Sequence, residues 1–280
     1  MGFLRTPVNL GSASSSVAIR DELEQSRFLR VSQLVPDDQD IVTVMAGTPV
    51  REALGLMRSR RFDQLPVMTT DGRVVGAFTY RSFSANLRNI RPQDDPLGAT
   101  VDDLVEDLNF VRPADELSAT LTFIERDNAV LVGDEDRLLA IVTTADVSRF
   151  LWRRTRPYVL LESIELAVRD LMHTSCSAEE LRSAVAAALK LEEGGQDVGL
   201  EDLTLSELLT VLLNGNSFGR FFRLRFGNNR QLVSTTLAPV REIRNKVFHF
   251  RGDLSEQEIQ CLHDVSVWLR RKVLIRGGGR

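Results

Sequence analysis

The feature that most constrains this chain is a unit of about 65 residues that occurs twice in its first half. The first copy opens on an apolar run, Ile41-Val42-Thr43-Val44, expected as a strand. Thr48-Pro49 follow as N-cap and first helical residue of a helix running to about Arg60. A short strand Leu65-Pro66-Val67-Met68, a turn at Asp71-Gly72 and a longer strand Val74-Val75-Gly76-Ala77-Phe78-Thr79 complete it. The same order returns downstream: Asn109-Phe110-Val111, a helix from Asp115 to Glu125, Ala129-Val130-Leu131-Val132, an acidic turn Asp134-Glu135-Asp136, and Leu138-Leu139-Ala140-Ile141-Val142-Thr143. Thr79 and Thr143 are 64 residues apart, and Ala53 and Ala119 are 66 apart. The first half is therefore read as α+β, two β-α-β-β-α units facing each other.

Residues 30–152 resemble a tandem CBS pair, or Bateman module. The resemblance rests on Leu65-Pro66-Val67, Asp71-Gly72 and Gly76-Ala77-Phe78-Thr79 in the first copy, and on Ala140-Ile141-Val142-Thr143-Thr144-Ala145-Asp146 in the second. A Thr at a strand end and a carboxylate in the next helical turn project into one cleft beside a helix N-terminus, which favours phosphate. The carboxylate accepts from both hydroxyls of a ribose, while the Thr hydroxyl and backbone amides suit phosphate oxygens. The resemblance implies an adenine nucleotide (AMP, ADP, ATP or another adenosyl compound) as regulatory ligand, with Thr143 and Asp146 as its best contacts. In the first copy Ser82 stands where Asp146 stands in the second, so only Thr79 is retained there and one strong site per chain is expected. The plainer alternative is that Thr143 ends a strand and Asp146 caps a helix. Arg81 meets a phosphate or is solvated; the sequence does not decide.

Residues 1–29 are expected as a flexible N-terminus with the start of a helix that spans Asp21 to Leu34, and residues 153–157 (Arg153-Arg154-Thr155-Arg156-Pro157) as a linker. Beyond it strand-like runs vanish, and 158–276 reads as an all-helical domain with helices near 158–173, 178–192, 205–214, 217–226, 229–250 and 256–274. Three capping boxes mark helix starts: Ser177 with Glu180, Thr204 with Glu207, and Ser255 with Glu258. Glu192-Glu193-Gly194-Gly195-Gln196-Asp197 reads as a solvated loop, and Gly277-Gly278-Gly279 as a frayed end. Arg220-Phe221-Phe222-Arg223-Leu224-Arg225-Phe226 interleaves basic and aromatic residues. That pattern serves RNA stacking, although phenylalanines turned into the core are the favoured reading.

The stretch Ile243-Arg244-Asn245-Lys246-Val247-Phe248-His249 holds Arg-Asn followed by three residues and a His, near a helix end and just ahead of a capped helix. This resembles the HEPN superfamily, whose Arg, polar residue and His form a metal-independent ribonuclease site. The resemblance implies Arg244, Asn245 and His249 as catalytic residues, RNA as substrate and a homodimer that pools two copies of the motif. Asn245 and His249 share a helix face, whereas Arg244 and His249 lie about 140° apart around an ideal helix. His249 suits general acid–base work on a 2′-hydroxyl, and Arg244 suits stabilising a phosphorane. Alternatively His249 is a helix-terminal histidine favoured by the macrodipole and Arg244 one surface arginine among 32. His173 and His263 lack the motif and read as surface or capping residues.

The formal charge of −4 argues against a nucleic-acid partner until it is divided along the chain. Residues 1–156 carry −4, residues 157–209 carry −8 and residues 210–280, which hold the Arg-Asn-x3-His motif, carry +8. No apolar run approaches the roughly 20 residues of a membrane span, and no secretory signal is read at the start, so a cytoplasmic protein is expected. Cys176 and Cys261 read as buried thiols, and no metal-ligating cluster is expected. The expected function is an adenine-nucleotide-sensing, metal-independent endoribonuclease in which the CBS pair regulates paired HEPN sites. The resemblance suggests stress response or phage defence and an antitoxin or other partner protein. The alternative is a non-catalytic CBS regulatory or dimerisation protein that binds an adenosyl ligand and a partner protein or RNA.

Overall fold

The computed structural model describes residues 29–35, 39–91, 94–191 and 198–274. Most of the expected N-terminal helix, the loop Glu192–Asp197 and the tail Gly277–Gly279 lie outside the described residues. The chain divides into two compact units, Met1–Phe150 and Leu151–Arg280.

In the first unit β1 (Val44–Met45), α1 (Val50–Arg60), β2 (Gln64–Met68), β3 (Val74–Thr79) and α2 (Tyr80–Asn86) form the first copy. The second copy is β4 (Phe110–Val111), α3 (Leu117–Asp127), β5 (Ala129–Gly133), β6 (Leu138–Thr143) and the start of α4 (Thr144–His173). Each copy has a three-stranded sheet in which the first strand runs parallel and the third antiparallel to the middle one. The pairing Val44 with Val67 is repeated by Val111 with Val132, and Val67 with Gly76 by Val132 with Ala140. The expected strand Ile41–Val44 is shorter than read, because only Val44 and Met45 find ladder partners on β2.

Each copy is completed by the segment that leads into the other. Val101 and Leu104, which precede the second copy, are buried in the core of the first with Val50, Met57, Leu65 and Phe78. Val31 and Leu34, which precede the first copy, are buried in the core of the second with Ile124, Val130 and Val142. The exchange also settles α1. Pro49, rather than Thr48, is its N-cap, and no side chain caps it, because the amides of Val50 and Arg51 donate to the carbonyls of Ala99 and Leu97.

The same exchange covers the edge of each sheet, differently in the two copies. In the first copy the backbones of Ala77 and Glu106 donate to each other at 3.0 and 2.9 Å. In the second copy the side chain of Gln39 does the work: its amide nitrogen donates to the Ile141 carbonyl and its oxygen accepts from the Ile141 amide, at 2.9 and 3.0 Å. Backbone against backbone leaves no room for a side chain beneath, which is why glycine stands at position 76. Gly76 has φ of +146°, and a Cβ there would sit 2.8 Å from the Glu106 carbonyl oxygen. A side-chain bridge holds the neighbouring backbone farther away, and Ala140 fits at the equivalent place.

The second unit contains the rest of α4, then α5 (Ala178–Leu189), α6 (Leu205–Leu213), α7 (Arg230–Phe248) and α8 (Glu256–Leu274) around a core that includes Ile164, Leu171, Leu208, Phe222, Val240 and Leu262. The three capping boxes form, with Glu180, Glu207 and Glu258 accepting from the backbone amides of Ser177, Thr204 and Ser255. Residues 153–157 do not form a break: they are helical, and Pro157 lies inside α4. Proline removes only the hydrogen bond to the residue four before it, and the turns on either side carry the helix through. The helix expected over 217–226 is interrupted by a π turn at Phe218–Phe222. Phe218, Phe222 and Phe226 are all buried, and a spacing of four drifts about 40° per step on a regular helix, so one wider turn returns the three rings to the same face. Phe221 packs partly against this core and under the Arg220 guanidinium, which pairs with Glu180 at 3.0 Å. Among the described residues no helix is long and apolar enough to cross a membrane.

Gly76→Ala is expected to lower unfolding free energy by roughly 2–4 kcal/mol, through left-handed backbone strain plus the clash with Glu106. Gly72→Ala, also at positive φ (+88°) but facing open space, is expected to cost only about 1 kcal/mol. Urea midpoints of the two variants, at unchanged m-value, decide the matter; equal losses would contradict the close approach at position 76.

Candidate functional site

The two strand-to-helix junctions carry matching groups. At the end of β6, the Thr143 amide and hydroxyl donate to Asp146 Oδ2 at 2.9 and 2.7 Å, and the Asp146 amide donates to Thr143 Oγ1 at 3.3 Å. The pair therefore caps α4 reciprocally, as the plainer alternative requires. The second carboxylate oxygen, Oδ1, accepts from Arg149 at 3.3 Å. The Arg149 side chain is 72% exposed against 11% for Asp146, and such an ion pair contributes only about 0–1 kcal/mol. The amide of Thr144 is already committed to the Asn128 carbonyl, so phosphate would meet the helix dipole rather than a row of free amides.

At the end of β3 the sequence offers no carboxylate three residues on, but the fold supplies one. Thr79 Oγ1 donates to Glu106 Oε1 at 2.5 Å, and Ser82, buried, closes the cap by donating its amide to Thr79 Oγ1 at 2.8 Å. Arg81 grips the other Glu106 oxygen at 2.6 Å, donates to the Arg126 carbonyl at 2.9 Å and reaches Asp127 at 3.5 Å. Arg81, though 45% exposed, is thus committed to protein partners and not free for a phosphate. Glu106 and Asp127 side chains are 20% and 10% exposed, so this is a part-buried network with several members rather than a single surface pair. The hydrogen bond from Arg126, with Arg81 adding to it, holds the Asp127 carboxyl below its ordinary range. Glu106 was not singled out in the sequence, although a signal existed: it precedes Val111 by five residues, as Gln39 precedes Val44.

In the helical unit, α7 ends at Phe248, before the His of the motif. His249 follows in a non-helical conformation (φ −100°, ψ 9°), exposed, its amide donating to the Asn245 carbonyl. Phe250 takes a left-handed conformation at φ +52°, and the chain then turns away toward α8. Arg244, half-buried, lays its guanidinium over the Phe248 ring at 4.7 Å, and that ring meets Tyr158 edge-on at 5.7 Å. These three residues line a cavity of about 510 Å³ whose other walls come from α4, including Val159, Glu162 and Leu166. His249 and Asn245 are not among its lining residues, so one chain does not bring Arg244 and His249 into a common pocket. Lys246, within the motif, is tied to Glu258 at 2.9 Å. Cys176 and Cys261 are free, half-buried thiols, and burial pushes both up from the ordinary thiol value. Among the described residues no group of three or more His, Cys, Asp or Glu side chains is placed to hold a metal ion.

The first unit is a duplicated α+β fold with a Thr and a carboxylate at each strand-to-helix junction. The profile of the CBS domain family matches residues 31–89, and the chain contains a CBS domain. An inosine-5′-monophosphate dehydrogenase of Methanocaldococcus jannaschii is 26% identical over 178 residues, 63% of this chain and 34% of that protein. The chain thus spans about a third of that enzyme's length. An uncharacterized protein of the same organism is 22% identical over 263 residues, 85% of this chain and 90% of its own. Among solved structures, the CBS domain of the bacterial CNNM/CorC family Mg2+ transporter in complex with ATP is similar at 21% identity and a TM-score of 0.37, covering 49% of this chain and 96% of that one.

Asp127→Asn is expected to lower stability at pH 7 by about 1–3 kcal/mol, since it leaves Arg81 and Arg126 short of a charged partner. Because the folded-state pKa of Asp127 is depressed, its contribution is complete above the unfolded carboxylate value near 4 and fades as pH falls through the folded value. Chemical denaturation of both proteins from pH 7 to pH 3 should therefore show their stabilities converging below about pH 4. A gap that stays constant across that range would contradict the ion pair.

Proposed function

We propose that the chain is an adenine-nucleotide-responsive regulator whose helical unit is a metal-independent endoribonuclease acting as a homodimer. The observation that carries the sensing half is the Thr143–Asp146 pair with a single, mostly exposed arginine on its remaining oxygen. A ribose diol displaces Arg149 from Oδ1 at little cost and replaces one charge-assisted contact by hydroxyl donors, while the released guanidinium is free for a phosphate. The first junction lacks this freedom, because Glu106 is held on both oxygens and Arg81 is anchored three ways. One nucleotide per chain is the reading this asymmetry supports.

The catalytic half rests on His249, which stands exposed just beyond α7, and on Arg244 one turn before it. In the reaction, His249 takes the proton of a 2′-hydroxyl, whose oxygen attacks the adjacent phosphorus. The bond to the 5′-oxygen breaks, that oxygen takes the proton back from the His249 imidazolium, and a 2′,3′-cyclic phosphate remains. Arg244 stabilises the charge on the phosphorane through its paired donors, and Asn245 orients the histidine or a phosphate oxygen. Since Arg244 faces the cavity and His249 does not, the two roles are filled across a pair of chains, Arg244 of one beside His249 of the other. The +8 carried by residues 210–280 supplies the field that draws RNA to this end of the unit.

Calorimetry with ATP, ADP, AMP and cyclic di-AMP should give one site per chain for at least one of them. Asp146→Ala should weaken it by roughly tenfold to a hundredfold, the worth of one or two hydrogen bonds to a charged group. Unchanged affinity in the variant would remove Asp146 from the site. Purified protein in EDTA should degrade single-stranded RNA, with His249→Ala and Arg244→Ala each slowing it by about 10² or more. Equal inertness of all three with and without nucleotide would leave the non-catalytic regulator in place of the nuclease. If nucleotide regulates the nuclease, cleavage should change by about 5- to 150-fold on ligand binding, the range of ordinary site-to-site coupling.

A further inference from the structure

The cavity beside Arg244 has the size of a binding site and, in Tyr158, Phe248 and Glu162, groups that the cleavage reaction itself does not use. Its volume of about 510 Å³ lies within the range of small-ligand pockets, about 300–1,000 Å³. Tyr158 and Glu162 stand four residues apart on α4, and Arg244 and Phe248 four apart on α7, so each helix sets two of these side chains on one face. The aromatic pair provides a π surface, the Arg244 guanidinium a cation lying on it, and Glu162, one turn beyond Tyr158 on α4, an exposed carboxylate. The second carboxylate of the lining, Glu165, is already neutralised by Arg169 at 2.6 Å, which leaves Glu162 as the acceptor facing the cavity.

We propose that this cavity is a guanine subsite for single-stranded RNA, with Phe248 and Tyr158 contacting the base, Glu162 reading its Watson–Crick edge and Arg244 holding the neighbouring phosphate. The inference rests on the reading of the helical unit as one that acts on RNA. A carboxylate is acceptor-only, with two oxygens side by side. Guanine alone among the four bases presents two adjacent donors on that edge, N1–H and N2–H. Adenine and cytosine place an acceptor beside their amino group, and uracil flanks its single N–H with carbonyls, so each sets a lone pair against the carboxylate. Stacking on an aromatic ring is indifferent to sequence, and selectivity therefore falls to Glu162. Arg244, fixed over Phe248 and permanently charged, is placed to hold the phosphate attached to the bound nucleoside.

The test uses the full-length protein and 2′-O-methyl pentamers UUGUU, UUAUU, UUCUU and UUUUU, which lack the attacking hydroxyl and cannot be cleaved by this route. Fluorescence anisotropy should show UUGUU bound about 5- to 150-fold more tightly than the other three, the range of one bidentate base contact. Glu162→Gln, at an exposed position where the fold is not at risk, should erase that preference by weakening UUGUU toward the other three. Phe248→Leu should weaken all four alike, with thermal unfolding confirming an intact fold. Equal binding of the pentamers, or a guanine preference that survives Glu162→Gln, would overturn the proposal. Guanosine 5′-monophosphate bound as tightly as UUGUU would overturn its RNA part and assign the cavity to a free nucleotide. A guanine preference without any cleavage of unmodified RNA would sustain the subsite and sink only the nuclease reading.

Discussion

The first unit depends on an exchange: each three-stranded sheet is finished by the segment leading into the other. A three-stranded sheet with one or two helices leaves part of its apolar core open to be filled, and its third strand leaves an unpaired edge. The exchange meets both needs at once. Val101 and Leu104 fill the first core and Val31 and Leu34 the second, while Glu106 and Gln39 cover the edges of β3 and β6. The amides of α1 that a side-chain cap would normally satisfy are taken by Leu97 and Ala99 in the same exchange, which leaves Thr48 without a capping role.

What distinguishes the two copies follows from one detail of this exchange. Glu106 pairs with β3 through its backbone, so its side chain is released toward Thr79 and Arg81. Gln39 pairs with β6 through its side chain and has nothing left to offer Thr143. The carboxylate at the second junction must then come from α4 itself, as Asp146, and its outer oxygen meets only the mobile end of Arg149. Both junctions thus hold a Thr, a carboxylate and an Arg, but with different freedom. At the first, Glu106 and Asp127 are part-buried and cross-linked by Arg81, so removing one member strands the others and costs about 1–3 kcal/mol. At the second, the pair with Arg149 is within about 1 kcal/mol of nothing. On the proposed reading it is this difference in freedom, rather than the presence or absence of a carboxylate, that makes the second junction the receptive one.

The repeat, the strand order and the turn at Asp71-Gly72 were legible because period-two runs bounded by turn residues report local structure directly. The capping boxes at Ser177, Thr204 and Ser255 were legible for the same reason: both partners lie within four residues. Thr143 and Asp146 belong to that class, and their proximity could be read from spacing alone. The partnership of Thr79 with Glu106 could not, since 27 residues separate them and nothing local marks the pairing. Proline misled twice, at Pro49 and Pro157, because its local preference to begin or end a helix was outweighed by backbone partners from elsewhere and by flanking helical turns. The run of phenylalanines after Ser217 was read as a plain helix; its four-residue spacing held the clue to a wider turn. Arg244 and His249 are five apart in sequence, and the early end of α7 at Phe248 could not be seen in the motif.

The end of α7 also decides how the two halves of the motif relate. A helix that continued past His249 would have carried the imidazole round its surface, about 140° from Arg244. The helix instead stops at Phe248, and the left-handed Phe250 turns the chain away, so His249 is held at the tip by a backbone bond to Asn245 and its ring is left exposed. Arg244 meanwhile is drawn back over Phe248, where an aromatic face lowers the cost of a half-buried cation. Of the two carboxylates that line the cavity with Arg244, Glu165 is taken by Arg169, and elsewhere in the unit Glu180 pairs with Arg220 and Glu258 with Lys246. Glu165 thus pairs inside the acidic stretch 157–209, whereas Glu180 draws on Arg220 of the basic one, and residues 210–280 keep a positive surplus that acts at longer range. Such a field speeds the encounter with a polyanion and weakens with salt, whereas the choice among bases depends on contacts too short to be screened. On the proposed reading, attraction and selection are therefore separable at this end of the unit, the first resting on the basic residues and the second on a single carboxylate on α4.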